Sequence, residues 1–167
     1  LPCDSKAVHV SKAGPRLVNR FDALVLSGTA LLDNEYLKWP RPHWLADWNK
    51  PLLGICAGHH LIGKWFGAKT MRAQKPEIGL VRVRLSGEGK RDALFHGMPS
   101  FFSAYALHRN AVQLPKNFVR LAFNSACVVQ AMRCKTRPFY GVEFHPEVRN
   151  VQVLERFYSI ARACRKR

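Results

Sequence analysis

The stretch "PLLGICAGHHLIGKWFG", residues 51–67, constrains the fold more than any other part of this sequence. It joins an apolar run to a turn of the form G-x-C-x-G and then to a segment with helical spacing. An apolar run that ends at a glycine is typical of a buried parallel strand, and Gly67 is a suitable helix stop. We therefore predict a buried strand at 51–56, a sharp turn at Cys56 and a helix at 57–67.

The rest of the chain predicts an α/β fold. A second buried strand precedes this unit at 21–28, and an amphipathic helix follows at 151–164. A short strand is predicted at 6–12, and a loop with an amphipathic helix at 29–48. Further strands are predicted at 79–87, 101–108, 119–125, 127–134 and 138–148. We expect an open, mostly parallel sheet with helices on both faces and a β-rich middle section, in a single domain over residues 1–167.

The composition excludes several classes of protein. No apolar stretch approaches the roughly 20 residues that span a bilayer, and no secretory leader opens the sequence. The five cysteines form no CxxC pair, which favours reduced thiols over a disulfide framework. We therefore expect a cytoplasmic protein that does not contact a membrane.

The charge is strongly basic. Lys and Arg number 27 against 11 Asp and Glu, so the formal net charge is +16. Such a balance favours a polyanionic partner, either nucleic acid or an acidic protein surface. Only the segment at 162–167 is a dense basic cluster, however, and a diffuse excess is equally compatible with a soluble basic enzyme. The charge alone leaves both interpretations open.

Two motifs in this sequence carry chemistry. In the G-x-C-x-G turn, small residues flank Cys56, which is what a nucleophile on a sharp strand-to-helix corner requires. The N-terminus of the helix behind it is expected to lower the pKa of the thiol. The "FHPE" stretch supplies a base, His145, and an orienting carboxylate, Glu147. Each motif taken alone has a purely structural interpretation, but together, both at strand ends, they predict nucleophilic catalysis.

Two other groups of side chains are interpreted as structural. Adjacent histidines on a helix point about 100° apart, so His59 and His60 are not expected to hold one metal ion together. No cysteine or carboxylate with ligand spacing accompanies them, and we predict no metal site. The tryptophans could stack on bases, but their spacing favours packing against the sheet. They are Trp39, Trp44, Trp48 and Trp65.

Taken in order, these motifs resemble the class I (triad) glutamine amidotransferases, and among them the glutaminase subunits of GMP synthetases. The resemblance implies that Cys56 attacks the carboxamide of glutamine, that His145 moves the protons and that Glu147 orients it. It covers about residues 20–160. The matching stretches are "ALVLSG", "PLLGICAGHHLIGKWFGAK", "KPEIGLVRV", "LHRNAVQLPKNF", "LAFNSACVVQAM" and "FYGVEFHPEV".

The resemblance also assigns residues around the triad. Backbone N–H groups of Gly28, Thr29 and Ala57 would form the oxyanion hole. The substrate pocket would include three side chains, which are His60, His108 and Asn110. The sequence departs from the family pattern at several of these places. His60 replaces the glutamine of GxCxGHQ, "SGTA" at 27–30 replaces SGGP, and "LHRN" at 107–110 replaces SHxD.

The family's chemistry needs an ammonia acceptor. The chain has no GxxxxGK loop, so the acceptor is expected to be a separate ATP-dependent synthetase, with the conversion of XMP to GMP as the first candidate reaction. ATP and Mg²⁺ would belong to that partner, and this chain would need no cofactor. The first strand and helix of the family have no counterpart before residue 6, so we expect the domain to lack them.

The departures from the family pattern leave two alternatives. In one, the chain is a catalytically impaired relative kept as a basic structural component that associates with nucleic acid or a ribonucleoprotein. In the other, it is a cysteine hydrolase acting on a different small amide, with Thr29 and His60 defining a changed pocket.

Overall fold

The computed structural model describes residues 3–165. Its strands are β1 (Leu24–Leu26), β2 (Leu52–Ile55), β3 (Thr70–Leu85), β4 (Phe101–Val112), β5 (Phe118–Phe123), β6 (Ala131–Cys134) and β7 (Phe139–Val142). Its helices are α1 (Pro15–Val18), α2 (Ala57–Trp65), α3 (Gly87–Arg91) and α4 (Gln152–Arg165). Single 3-10 turns occupy Val10–Lys12, Glu35–Lys38, His43–Leu45 and Ala93–Phe95.

The strands form one mixed sheet in the order β1-β2-β7-β6-β5-β3-β4. Only β1, β2 and β7 pair in parallel, and the remaining neighbours are antiparallel. The α/β class and the β-rich middle section are confirmed, but the parallel part is smaller than predicted. The segments that join β5 to β6 and β6 to β7 are short turns. A parallel crossover needs about a dozen residues or more, so these strands can only run antiparallel.

The sheet carries a hydrophobic core on each face. Along β2, Leu53 packs with the core that includes Phe157 of α4, whereas its neighbour Leu52 packs with the core that includes Leu61 of α2. Because successive side chains of a strand point to opposite faces, α2 and α4 cover opposite faces of the sheet, as predicted. Each buried side chain of this kind contributes about 1.5–3 kcal/mol. Within residues 3–165, none of the helices has the length and apolar character that a bilayer crossing requires.

Two predicted elements are wrong. Residues 6–12 form no strand, because the side chain of His9 bonds to Ser11 and closes a 3-10 turn instead. The helix predicted within 29–48 is replaced by two single 3-10 turns, since Pro40 and Pro42 interrupt it. The tryptophans behave as predicted for core residues. Trp44, Trp48 and Trp65 are buried.

Candidate active site

Cys56 lies at a strained corner between β2 and α2. Its backbone has φ 49° and ψ −107°, a conformation that costs a non-glycine residue about 1–3 kcal/mol. A Cβ on Gly54 would lie 2.4 Å from the backbone of Gly58, and a Cβ on Gly58 would lie 2.1 Å from the carbonyl oxygen of Leu26. Neither glycine can carry a side chain, so the two residues allow strand and helix to meet at Cys56.

His145 and Glu147 lie just beyond β7 and form a close pair. The Nδ1 of His145 donates to Oε1 of Glu147 at 2.6 Å. Burial alone would raise the pKa of Glu147, but this bond lowers it below its usual value. The backbone N–H of His145 donates to the carbonyl oxygen of Tyr105 at 2.8 Å, which ties this segment to β4. The Nε2 of His145 is buried and has no hydrogen-bond partner within residues 3–165, so it is available to accept a proton.

The cysteine and the histidine converge at Gly28, just after β1. A Cβ placed on Gly28 would lie 2.9 Å from Cε1 of His145 and 3.5 Å from Cβ of Cys56. The three strands β1, β2 and β7 are parallel neighbours, so their carboxyl ends meet at one edge of the sheet. The structure therefore brings the three predicted triad residues to one place.

The lowering effect expected from the helix N-terminus on the pKa of the Cys56 thiol is present but outweighed. Burial and the negative charge of Glu143 raise its pKa to about 12, although the N–H of Ala57 acts in the opposite direction. The Sγ donates to the carbonyl oxygen of Leu107 at 3.7 Å.

The space beside Cys56 is small. It measures about 10 Å³, close to the size of one water molecule. Its wall includes residues of the loop at 29–36. The three predicted substrate residues, His60, His108 and Asn110, all line this space.

His60 is fixed between two buried partners. Its Nδ1 lies 2.7 Å from the hydroxyl of Tyr36, and its Nε2 lies 2.9 and 3.0 Å from the two carboxylate oxygens of Glu143. The hydroxyl of Tyr36 also accepts a hydrogen bond from Asn110 at 3.1 Å. Burial raises the pKa of Tyr36 to about 12, so this hydroxyl stays neutral. The replacement of the family's glutamine by His60 is thus part of a connected network.

Glu143 is completely buried and surrounded by histidines. Besides His60, Nε2 of His59 and Nδ1 of His108 each lie 3.5 Å from its carboxylate. Burial alone would raise the pKa of Glu143, but His60 and His108 lower it to about 2. Burial would likewise lower the pKa of His108, but Glu143 and the bond to Glu77 raise it to about 9. Our sequence reasoning missed Glu143, although a glutamate inside the apolar strand "FYGVEF" was a usable signal.

A second buried carboxylate lies behind the first. Ligand atoms of Glu77, His108 and Cys127 lie within 4.8 Å of one another, a grouping that could hold a metal. The carboxylate of Glu77, however, accepts hydrogen bonds from Asn124 and Gln130, both at 2.6 Å, and lies 3.0 Å from Nε2 of His108. Burial also raises the pKa of Cys127, which keeps the thiol protonated. This arrangement fits a polar core, and the absence of a metal site stays a prediction.

The predicted oxyanion hole stays a prediction as well, but its parts can be placed. Thr29 follows Gly28 and does not have a positive φ, so a β-branched residue is accommodated there without that strain. Its hydroxyl donates to Asp33 at 2.5 Å, which fixes the loop. Ala57 begins α2, and its N–H faces the sulfur of Cys56.

Known proteins resemble this chain in sequence and in fold. The model of the family "Glutamine amidotransferase class-I" matches residues 1–156. The glutamine-hydrolysing GMP synthase subunit of Archaeoglobus fulgidus is 34% identical over 152 residues, which cover 87% of this chain and 77% of the relative. The corresponding protein of Pyrococcus abyssi is 41% identical over 107 residues, which cover 64% and 55%.

A solved structure agrees with these relatives. A putative GMP synthase subunit from Thermoplasma acidophilum superposes with a TM-score of 0.82 at 31% identity, covering 92% of this chain and 79% of that one. The chain spans about half the length of the Pyrococcus and Thermococcus relatives that it matches. Family match, sequence similarity and fold point the same way, and the chain belongs to the class-I glutamine amidotransferase family.

Proposed function

We propose that this chain is a glutaminase that hydrolyses the side-chain amide of glutamine and passes the ammonia to a separate ATP-dependent synthetase. The observation that carries this proposal is the convergence of Cys56, at a strained corner, with His145 beside Gly28. In the described part of the chain, the Nε2 of His145 has no hydrogen-bond partner. Family membership supports the same chemistry. It does not favour the alternative of a catalytically impaired basic protein that binds nucleic acid.

The proposed reaction assigns one role to each of these groups. As glutamine binds, Nε2 of His145 takes the proton of Cys56, and Glu147 holds Nδ1 and stabilises the imidazolium. The thiolate attacks the carboxamide carbon, and the backbone N–H groups at Gly28, Thr29 and Ala57 receive the oxyanion. The C–N bond breaks as His145 returns the proton to nitrogen, and ammonia leaves a thioester. Water, deprotonated by His145, then attacks the thioester and releases glutamate and the thiol.

The acceptor of the ammonia is inferred from the relatives. Their names describe a glutamine-hydrolysing subunit of GMP synthase, so we propose a synthetase partner that aminates XMP to GMP. ATP and Mg²⁺ would be bound by that partner. The five free thiols suit the reducing cytoplasm, where we place the reaction.

The experiment measures glutamate and ammonia released from glutamine by the whole chain, with and without the synthetase, against Cys56→Ala. Labelling of Cys56 by a glutamine-analogue electrophile is followed in parallel, with iodoacetamide as the reference reagent. We expect release that depends on Cys56 and labelling that glutamine suppresses. If no Cys56-dependent product forms under either condition and the analogue labels no faster than iodoacetamide, the proposal is wrong.

A further inference from the structure

One face of the antiparallel half of the sheet is uncovered. Residues of β3, β4 and β5 that lie opposite one another share this side, because paired residues of antiparallel strands point the same way. We call it the arginine face. It consists of Ile78, Leu80, Arg82 and Arg84 on β3, Phe101, Ser103, Tyr105 and Leu107 on β4, and Phe123 on β5. Ile78, Leu80 and Phe101 are 57%, 66% and 51% exposed, whereas the intervening residues Val83 and Phe102 belong to the core.

The charged groups on this face are stacked on its aromatic rings. The guanidinium of Arg84 lies 5.3 Å from the ring centre of Phe101 and 5.7 Å from that of Phe123. Arg82 lies 6.0 Å from the ring centre of Phe101. Arg120 of β5 is not part of the face, but its guanidinium contacts it, lying 4.6 Å from the ring centre of Phe123. Within residues 3–165, no carboxylate forms an ion pair with any of these three arginines. Beside them is a shallow groove of about 560 Å³.

This chemistry suits an acidic protein surface better than a nucleic acid. Bases stack on open aromatic faces, but here the ring faces of Phe101 and Phe123 are already taken by guanidinium groups of the same chain. Stacked guanidinium groups keep their N–H edges free for bidentate pairing with carboxylates. Exposed aliphatic side chains such as Leu80 gain from burial against a protein, and aromatic residues with arginine are enriched in protein interfaces.

The arginine face runs into the active site. Leu107 belongs to the face, lines the space beside Cys56, and accepts the hydrogen bond of the Cys56 thiol through its carbonyl oxygen. Tyr105, two residues earlier, accepts the backbone N–H of His145. A protein bound on this face would therefore lie next to the point at which ammonia is released.

We propose that the arginine face is the docking surface for an acidic patch of the synthetase that receives the ammonia. This inference rests on the proposed function, since it places that partner on this chain. Bound there, the partner buries Leu80 and Phe101, pairs its carboxylates with Arg82, Arg84 and Arg120, and excludes water from the mouth of the active site.

The test measures binding of the source organism's XMP-aminating synthetase to the whole chain by calorimetry, at low and at moderate salt. The variant is Arg82→Glu with Arg84→Glu. The matched control is Lys116→Glu with Lys135→Glu, which changes the net charge equally at the other end of β5, where both lysines are exposed. We expect the face variant to weaken binding at least about tenfold, and the control to change it less than about twofold. Labelling of Cys56 in the absence of partner should be unchanged in both.

A second measurement does not depend on any variant. Hydroxyl-radical footprinting of the wild-type complex should protect Leu80 and Phe101, while exposed residues away from the face stay reactive. Three results would overturn the proposal. They are equal weakening of binding by both double variants, a lack of protection at Leu80 and Phe101, and a wild-type chain that does not bind the synthetase. A fourth is binding of labelled (dT)20 that the face variant abolishes while synthetase binding persists. In each of these cases, reaction of Cys56 with the glutamine analogue would show that the proposed glutaminase function still stands. The two proposals can therefore fail separately.

Discussion

Two histidine–glutamate pairs flank Cys56, and they differ in almost everything except their chemistry. In the first pair, His145 and Glu147 are two residues apart in sequence, and their side chains are 12% and 46% exposed. In the second pair, His60 lies on α2 and Glu143 lies just after β7, and their side chains are 1% and 0% exposed. Both have a nitrogen within 3 Å of a carboxylate oxygen.

This difference in burial and bonding assigns proton transfer to the first pair and shaping of the pocket to the second. Among the residues that the structure describes, one ring nitrogen of the first pair has no hydrogen-bond partner, so it can exchange a proton with a ligand. The second pair has both ring nitrogens of His60 occupied, one by Tyr36 and one by Glu143. Its carboxylate also raises the pKa of the Cys56 thiol. Burial of the thiol is the larger cause of this raised pKa, and the charge of Glu143 adds to it. The buried pair therefore holds the pocket wall.

Substitution of the proposed base should have the largest effect. His145→Asn removes the only proposed proton acceptor for Cys56, and we expect glutamine turnover to fall by about 10³-fold. Glutamate release under saturating glutamine measures this loss. Urea unfolding serves as the control, since a change near the surface should leave stability within about 1 kcal/mol. If His60→Asn lost activity to this extent while His145→Asn kept it, the roles of the two pairs would be reversed.

Removal of the buried carboxylate should mainly affect folding. Glu143→Ala leaves His60 and His108 without their shared charge partner, and we expect a loss of about 3–5 kcal/mol in the free energy of unfolding. Glu147→Ala is the matched control, because its partly exposed pair contributes about 1 kcal/mol or less. Chemical denaturation of both variants gives the comparison. Equal destabilisation by the two would show that burial does not distinguish the pairs.

The buried cluster around Glu143 should also make the free energy of unfolding decrease at alkaline pH. The pKa of His108 is raised to about 9 in the folded protein, above its usual value near 6.5. Its contribution is therefore fully present below pH 6.5 and is lost as the pH rises to about 9, by up to about 3 kcal/mol. Unfolding measured from pH 6 to pH 9.5 should show this fall. His108→Gln should flatten the profile, and an unchanged profile would contradict the assignment.

The smallest effect concerns the nucleophile itself. Glu143→Gln keeps a hydrogen-bonding side chain of the same shape but removes the charge that raises the pKa of Cys56. Alkylation of Cys56 by iodoacetamide at pH 8 should become roughly tenfold faster. Glu147→Gln is the control, and a similar acceleration in it would mean that the exposed carboxylate sets the thiol pKa instead.

The local motifs could be predicted from the sequence because each depends on neighbours within a few residues. The corner at Cys56 needs Gly54 and Gly58, and the bond from His145 reaches only to Glu147. Most strands were placed for the same reason, since alternation and turns are local signals. The strand predicted at 6–12 failed because local alternation does not supply a neighbouring strand to pair with.

The second pair could not be predicted, because it depends on which segments the fold brings together. His60 and Glu143 are 83 residues apart and meet only because α2 packs over β2 and β7. Tyr36 comes from a single 3-10 turn in the segment where the sequence predicts a loop and an amphipathic helix. One part of the network was nevertheless visible as a glutamate in an apolar strand, a residue that always demands a partner.

The two glycines at the Cys56 corner should be intolerant of substitution in any mutational scan of this protein. A Cβ on Gly54 or Gly58 would collide first with backbone atoms, and neither glycine touches a substrate atom in the proposed reaction. In a complete substitution scan scored by growth, both positions would nonetheless appear as intolerant as the nucleophile between them. Intolerance there would report the geometry of the chain and not its chemistry, and only the reactivity of Cys56 in purified variants would tell the two apart.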